Sequence, residues 1–227
     1  MLIKTNVKAQ GQKRELFSEG LFSGCKDKSE AERKDILKTI KKELEEKENY
    51  KPELTIYERT KLGKQLSKQL LEASDNGNLE QVKELIRKGV DVNAKDNDDW
   101  TALMFASWKG RTTCVSHLLQ QPNIDVNAKS NNCNTALMLA SDYEKNDCLS
   151  LLLQQSNIDV NAKNKDGRTA LMFASRREKI DCVSYLLKHP NIDINAKDNE
   201  GKTALDYAKE EKQIKIIEML RKAGAKE

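Results

Sequence analysis

The sequence has 227 residues, of which 33% are charged and 37% hydrophobic, and its 40 basic and 36 acidic residues give a net charge of +4. The small charge, with both signs interspersed along the chain, disfavours a dedicated nucleic-acid binder. No stretch approaches the roughly 18 apolar residues of a membrane span, and the first residues lack the apolar run of a signal peptide. We therefore expect neither nucleic acid nor a membrane as partner.

The five cysteines indicate a reducing compartment. They form no CxxC pair, and their odd number leaves one thiol over in any disulfide scheme. The sequence thus predicts a cytoplasmic protein.

The first 61 residues differ in texture from the rest of the chain. Residues 1–28 are predicted to be disordered, and residues 29–61 are predicted to form an N-terminal helical segment. Ser29 to Glu32 fits a capping box, and Pro52 is placed to start a second helix. Two roles stay open for this segment: it docks on the part of the chain that begins at residue 62 and shields an apolar side there, or it self-associates or binds a second partner. A monomer is expected unless these helices self-associate.

From residue 62 onward the chain is built from repeats. Asn-Ala-Lys recurs at 93, 127, 161 and 195, and Thr-Ala-Leu recurs at 101, 135, 169 and 203, so both series step by 34 residues. The apolar spacing between the two triplets also recurs and predicts two short helices in each repeat. Asn93, Asn127, Asn161 and Asn195 are interpreted as structural residues that bond nearby backbone.

Residues 164–197 resemble the ankyrin repeat, with Ala170 and Met172 where the family has Pro and His. The resemblance implies an all-α fold, an ankyrin-repeat solenoid of about five stacked helix-turn-helix units with β-hairpin fingers. The predicted repeat domain is 62–227, with repeats at about 62–95, 96–129, 130–163, 164–197 and 198–227. Three residues replace family glycines, namely Cys133, Glu144 and Glu178, and we expect strained or reshaped turns there.

Catalytic and metal chemistry find little support in the sequence. Only two histidines exist, His117 and His189, and neither has a partner at catalytic spacing. Phosphate-binding glycine loops are absent. Cys114, Cys148 and Cys182 share one repeat position and are interpreted as small apolar core residues. We therefore expect no enzyme activity, no cofactor and no metal site.

The resemblance places partner binding on the finger tips and on the exposed ends of the first helices. Carried over residue by residue, the predicted contact positions are Asn97, Asp98, Trp100, Trp108, Lys109, Asn131, Asn132, Asn134, Asp142, Tyr143, Lys165, Asp166, Arg168, Arg176, Arg177 and Lys202. Both tryptophans of the chain fall in this set, and Trp, Tyr and Arg are enriched among interface hot spots. The sequence predicts one contiguous patch formed by Trp100, Trp108, Tyr143, Arg168, Arg176 and Arg177, with exposed tryptophans. The competing interpretation is that Trp100 folds onto its own hairpin and that the arginines are ordinary solvated charges.

The expected function is a non-catalytic adaptor or inhibitor that binds another protein. The alternative is an assembly protein in which the N-terminal helices self-associate or dock a second partner. The repeats also resemble those of ankyrin proteins from intracellular bacteria and large viruses, some of which act inside host cells. By that analogy, the protein would be an effector translocated into a host cell.

Overall fold

The computed structural model describes residues 56–226, with side chains from residue 62 onward. The chain divides into two units, residues 1–58 and 59–227, and all but the first three described residues belong to the second unit. The predictions for residues 1–28, and nearly all of those for residues 29–61, lie outside the described residues.

The described residues form helices and no strand, which confirms the predicted all-α fold. The ten helices are α1 (Ile56–Asn76), α2 (Leu79–Arg87), α3 (Ala102–Lys109), α4 (Thr112–Leu119), α5 (Ala136–Asp142), α6 (Asn146–Leu153), α7 (Ala170–Arg176), α8 (Ile180–Leu187), α9 (Ala204–Glu210) and α10 (Ile214–Lys222). Successive helices pair as hairpins. The first helices α3, α5, α7 and α9 pack on one another in order, and the second helices α2, α4, α6, α8 and α10 do the same.

The helices α3, α5, α7 and α9 each begin immediately after the threonine of a Thr-Ala-Leu triplet. Thr101, Thr135, Thr169 and Thr203 have extended backbone, and each side chain accepts a hydrogen bond from the backbone N–H three residues later. A threonine in this position satisfies one of the amide groups that a helix start leaves unpaired. This explains why the triplet marks a helix start in each of the four repeats that contain it.

One core runs through the stack because each hairpin buries its apolar stripe against its neighbours. Ala106, Ala140, Ala174 and Ala208 are fully buried where consecutive first helices meet. Cys114, Cys148 and Cys182 are buried free thiols, as predicted. Burial raises the pKa of Cys182 to about 12. Such a thiol stays protonated at neutral pH and behaves as a small apolar group.

The recurring asparagines join repeats, whereas we expected them to bond nearby backbone. Asn161 Nδ2 donates to the Asn191 carbonyl at 2.7 Å, and Asn161 Oδ1 accepts from the Asp193 N–H at 2.8 Å. The same pair of bonds occurs at Asn93 and Asn127. Each asparagine therefore satisfies the loop backbone of the following repeat.

The turns that lack family glycines keep the left-handed backbone. Cys133 has a φ of +58°, and Glu144 and Glu178 each have a φ of +55°. An L-residue is strained in this region, so these turns are strained but not reshaped.

The fingers are tight loops with little extended structure. The described residues contain one isolated β-bridge, which joins Lys95 to Thr101. Each finger is closed by two backbone bonds: the N–H of its first residue donates to the carbonyl of its fifth, and the N–H of its fourth residue donates to the carbonyl of its first. The first and fifth residues are Asp96 and Trp100, Ser130 and Asn134, Asn164 and Arg168, and Asp198 and Lys202. Over the part of the chain that the structure describes, no helix is both long and apolar enough to cross a membrane.

Candidate binding surface

The finger loops are held in shape by the side chain at their first position. Asp96 Oδ1 accepts the backbone N–H of Asp98 at 2.9 Å and that of Trp100 at 2.8 Å. Asn164 and Asp198 make the same two bonds in their fingers, and Ser130 makes the second of them. A polar side chain that bonds its own turn in this way fixes the loop conformation.

Neighbouring fingers are also bonded to each other. The backbone N–H of Asn131 donates to the carbonyl of Asp98 at 2.9 Å, and that of Lys165 donates to the carbonyl of Asn132 at 3.0 Å. The Asn131 side chain adds a bond to the Asn97 carbonyl at 3.0 Å. The spacing of the fingers is therefore fixed before any partner arrives, so Asn97, Asn131 and Asn132 serve the scaffold as well as lying at the predicted surface.

Four aromatic side chains meet beside the first fingers. Trp100 ends its finger, and Phe105 and Trp108 lie one helical turn apart on α3. The ring centroid of Trp100 lies 5.0 Å from that of Phe105 and 5.6 Å from that of Trp108. Tyr143, just after α5, lies 5.9 Å from Trp108 at an interplanar angle of 80°. We call Trp100, Phe105, Trp108 and Tyr143 the aromatic cluster.

The aromatic cluster lines one side of an open cleft of about 480 Å³, which we call the aromatic cleft. Its other walls are polar finger residues, apolar residues of α5 and an aromatic residue of α7. The full lining is Asp96, Asp98, Trp100, Phe105, Trp108, Asn134, Met138, Leu139, Asp142, Tyr143 and Phe173. Six of the sixteen predicted contact residues meet here: Asp98, Trp100, Trp108, Asn134, Asp142 and Tyr143.

The tryptophans are less exposed than predicted. Trp100 and Trp108 are half-buried and pack against the core, whereas Tyr143 is 44% exposed. The prediction of exposed tryptophans is thus wrong, because each ring packs against another aromatic ring. Trp100 does contact Phe105 of its own repeat, and it also faces the cleft.

The predicted arginines on α7 reach back toward the preceding repeat. Arg177 Nε lies 2.6 Å from Asp142 Oδ1, and Arg176 Nη2 lies 4.0 Å from the same oxygen. These pairs bring positive charge to one edge of the aromatic cleft and compensate Asp142.

Arg168 takes part in a separate cluster with the last repeat. Its Nε donates to the Tyr207 hydroxyl at 2.8 Å, and that hydroxyl donates to the buried Asp198 carboxylate at 2.5 Å. Burial and the hydrogen bond to Asp198 raise the pKa of Tyr207. Burial acts to raise the pKa of Asp198, but hydrogen bonds from Tyr207 and from backbone N–H groups, together with Arg168, lower it overall. Arg168 therefore links two repeats and is not part of the aromatic cluster.

The remaining predicted residues do not line the aromatic cleft. Lys109 holds its Nζ 3.9 Å from the centre of the Trp108 ring. Lys165 and Asp166 belong to the third finger, where their backbone groups bond its neighbours. Lys202 pairs with Glu210 at 2.9 Å and with Glu200 at 3.4 Å. The predicted patch is thus an aromatic cleft followed by two clusters of paired charges.

Sequence reasoning missed five residues that line the cleft: Asp96, Phe105, Met138, Leu139 and Phe173. Phe105, Leu139 and Phe173 share one repeat position, and its bulky apolar residues looked like core. Phe105 and Phe173 are only partly buried, although Leu139 is 7% exposed. This partial exposure could have been predicted by aligning the repeats, because the position lies one helical turn before the exposed end of each first helix.

Within the described residues, no group of three His, Cys, Asp or Glu side chains is placed to hold a metal ion. A family model described as ankyrin repeats (3 copies) matches residues 70–164 and 156–227, well over half of the chain. No curated protein gives a significant match.

Proposed function

The chain belongs to the ankyrin repeat family, and on that premise we propose that it is a non-catalytic adaptor or inhibitor that binds a partner protein across its fingers and first helices. Ankyrin repeats are in general protein–protein interaction modules. The observation that carries the proposal is the aromatic cleft, whose lining includes two tryptophans, two phenylalanines and an exposed tyrosine.

Clustered aromatic residues with this partial exposure are typical of interface hot spots. The other exposed large hydrophobic side chains of the described residues, namely Leu62, Tyr185 and Ile214, line no cleft of this kind. The aromatic cleft is therefore the best candidate for the centre of an interface.

The rigid fingers support the same proposal. Backbone and side-chain bonds hold each finger to the next one, so little conformational freedom is lost when a partner binds. A surface that is already ordered binds more tightly than one that must become ordered on binding, because the entropy cost of binding is smaller.

The proposal is tested with the double substitution Trp108→Ala and Tyr143→Ala in the full chain. Hot-spot truncations cost roughly 2 kcal/mol or more each, so affinity for a partner captured by the wild-type chain should fall by well over about tenfold. Tyr185→Ala is the matched control, because Tyr185 is a similarly exposed aromatic residue on α8. Isothermal titration calorimetry measures the affinities, and circular dichroism checks the helix content.

Tryptophan fluorescence gives an independent readout. The chain has two tryptophans, and both line the aromatic cleft. A partner seated there should shift the emission of the wild-type protein during titration. If the partner binds the Trp108→Ala, Tyr143→Ala variant as tightly as it binds the Tyr185→Ala variant, the interface lies elsewhere.

A further inference from the structure

We infer that the aromatic cleft takes a lysine or arginine side chain from a basic segment of its protein partner. This inference rests on the proposed function and names the chemistry that the same site recognises. Three features carry it: the charge of the lining, the arrangement of the rings, and a cation that the chain itself already places on one of them.

The lining of the aromatic cleft is acidic. It contains Asp96, Asp98 and Asp142 and no lysine or arginine. Arg177 compensates Asp142 at 2.6 Å, but neither Asp96 nor Asp98 has a cationic partner among the described residues. Asp96 and Asp98 lie on one finger. Asp96 Oδ1 accepts two backbone N–H groups, whereas Asp98 is exposed, so Asp98 carries most of the unpaired negative charge at that wall. An acidic segment would be repelled there, whereas a cation would be attracted.

The rings are arranged to receive a cation. Trp108 stands edge-on to Trp100 at 77° and to Tyr143 at 80°. Rings at nearly right angles offer their faces in more than one direction, and the face of an aromatic ring attracts an ammonium or guanidinium group. Tryptophan is the strongest of the aromatic side chains in this interaction.

Lys109 makes a cation–π contact of this kind within the chain. Its Nζ lies 3.9 Å from the centre of the Trp108 ring and 3.9 Å from Asp75 Oδ1. Lys109 does not line the aromatic cleft, so it reaches Trp108 from outside. A second cation that enters the cleft is therefore drawn to the rings and weakly repelled by Lys109.

The size and the apolar walls fit a long basic side chain. A space of about 480 Å³ exceeds what a single ammonium group needs, and Met138, Leu139 and Phe173 provide apolar surface for a hydrocarbon stem. Lysine and arginine bury such stems while their charged heads remain at polar groups. A wholly apolar segment would instead cover the Asp98 carboxylate without a partner, which is costly.

The experiment begins with a random peptide library displayed on phage and selected on the full chain. We expect selected peptides to share a lysine or arginine beside apolar residues. One such peptide is then synthesised with that residue and, separately, with norleucine in its place. Titration followed by tryptophan emission should show binding weakened by about tenfold or more for norleucine, because the stem remains and the charge is lost.

Variants of the protein assign the effect to the cleft. Asp98→Asn should weaken binding of the basic peptide about two- to fivefold, as expected for one exposed charge pair. Trp108→Leu keeps apolar bulk without the ring and should weaken it about tenfold or more. Lys109→Gln should strengthen it about twofold, because a repelling charge is removed. Tyr185→Ala is the control, since this exposed aromatic has its own lysine, Lys188, at 5.6 Å but does not line the aromatic cleft.

The outcomes separate this inference from the proposed function. If the norleucine peptide binds as well as the basic one while Trp108→Leu abolishes both, the cleft is an interface but does not select cations, and the inference fails alone. If selected peptides bind Trp108→Leu and wild-type protein equally, both proposals fail. Weaker binding to Lys109→Gln would also overturn the inference, because it would mean that Lys109 helps to hold the ligand.

Discussion

At the scale of single residues, one turn position shows how the repeats depart from the family pattern. Gly110, Glu144, Glu178 and Lys212 occupy this position at steps of 34 residues, and all have positive φ. Gly110 adopts this conformation without strain. In the other three residues the Cβ atom lies too close to the neighbouring backbone, which strains the turn. The packing of the two flanking helices thus determines the backbone conformation of the turn, and the residue type determines how much conformational strain the turn carries.

Replacing Glu178 by glycine should therefore stabilise the protein. Relief of about 1–2 kcal/mol of left-handed strain exceeds the roughly 0.5–1 kcal/mol by which glycine loosens the unfolded chain. The net gain of about 0.5–1 kcal/mol should raise the melting temperature by about 1–4 °C. Urea denaturation measures the change in the free energy of unfolding.

Gly110→Ala is the matched control for that substitution. Gly110 has a φ of +72°, and an added Cβ would lie 2.8 Å from Lys145 Cδ. We expect a loss of about 1 kcal/mol in the free energy of unfolding. If Glu178→Gly instead destabilises the protein, the left-handed turn is not strained there.

At the scale of elements, the recurring asparagines act as ties between consecutive repeats. Asn93, Asn127 and Asn161 each bond one carbonyl and one N–H in the loop after the second helix of the next repeat. Asn195 makes the same pair of bonds with the chain after α10: its Nδ2 donates to the Gly224 carbonyl at 3.4 Å, and its Oδ1 accepts the Lys226 N–H at 2.8 Å. The first bond is longer than the 2.7 Å of its counterparts, so the tie at the last repeat is weaker.

Asn161→Ala should cost about 1–2 kcal/mol of the free energy of unfolding, because two hydrogen bonds between repeats are lost. Asn195→Ala should cost less, since one of its two bonds is longer than the corresponding bond of Asn161. Paired urea titrations of the two variants test this difference. Equal losses would mean that the asparagines act only within their own loops.

At the scale of the whole described unit, stability is expected to vary along the stack. Each inner hairpin packs on two neighbours, whereas α8 and α9 are the main packing partners of α10 among the described helices. Ile214, at the start of α10, is 72% exposed. A helix with fewer packed neighbours opens more readily than one that packs on neighbours on both sides.

Native-state hydrogen exchange should show this gradient. Backbone amides of α10 should exchange at least about tenfold faster than those of α6, which packs between α4 and α8. Mass spectrometry of peptides from the two helices provides the measurement. Uniform protection along α3 to α10 would indicate that the unit opens only as a whole.

The 34-residue period by itself determined the pairs of helices and the buried repeat position of Cys114, Cys148 and Cys182. These features depend on local hydrogen bonds and on which face of a helix is apolar, and both can be read from residues close in the chain. The periodic asparagines could also be recognised as structural from sequence. Their partners, 30 and 32 residues away, could not, because the closeness of two loops depends on how the hairpins stack.

Only the tertiary structure decided which side chains meet across repeats. Trp108 meets Tyr143, Arg177 pairs with Asp142, and Arg168 joins Tyr207 and Asp198, so one predicted patch becomes an aromatic cleft and separate charge clusters. Sequence spacing places these residues on the same surface but does not fix their rotamers or the neighbour that each long side chain reaches. Those choices depend on the packing of consecutive repeats, which makes the surface specific while the skeleton repeats.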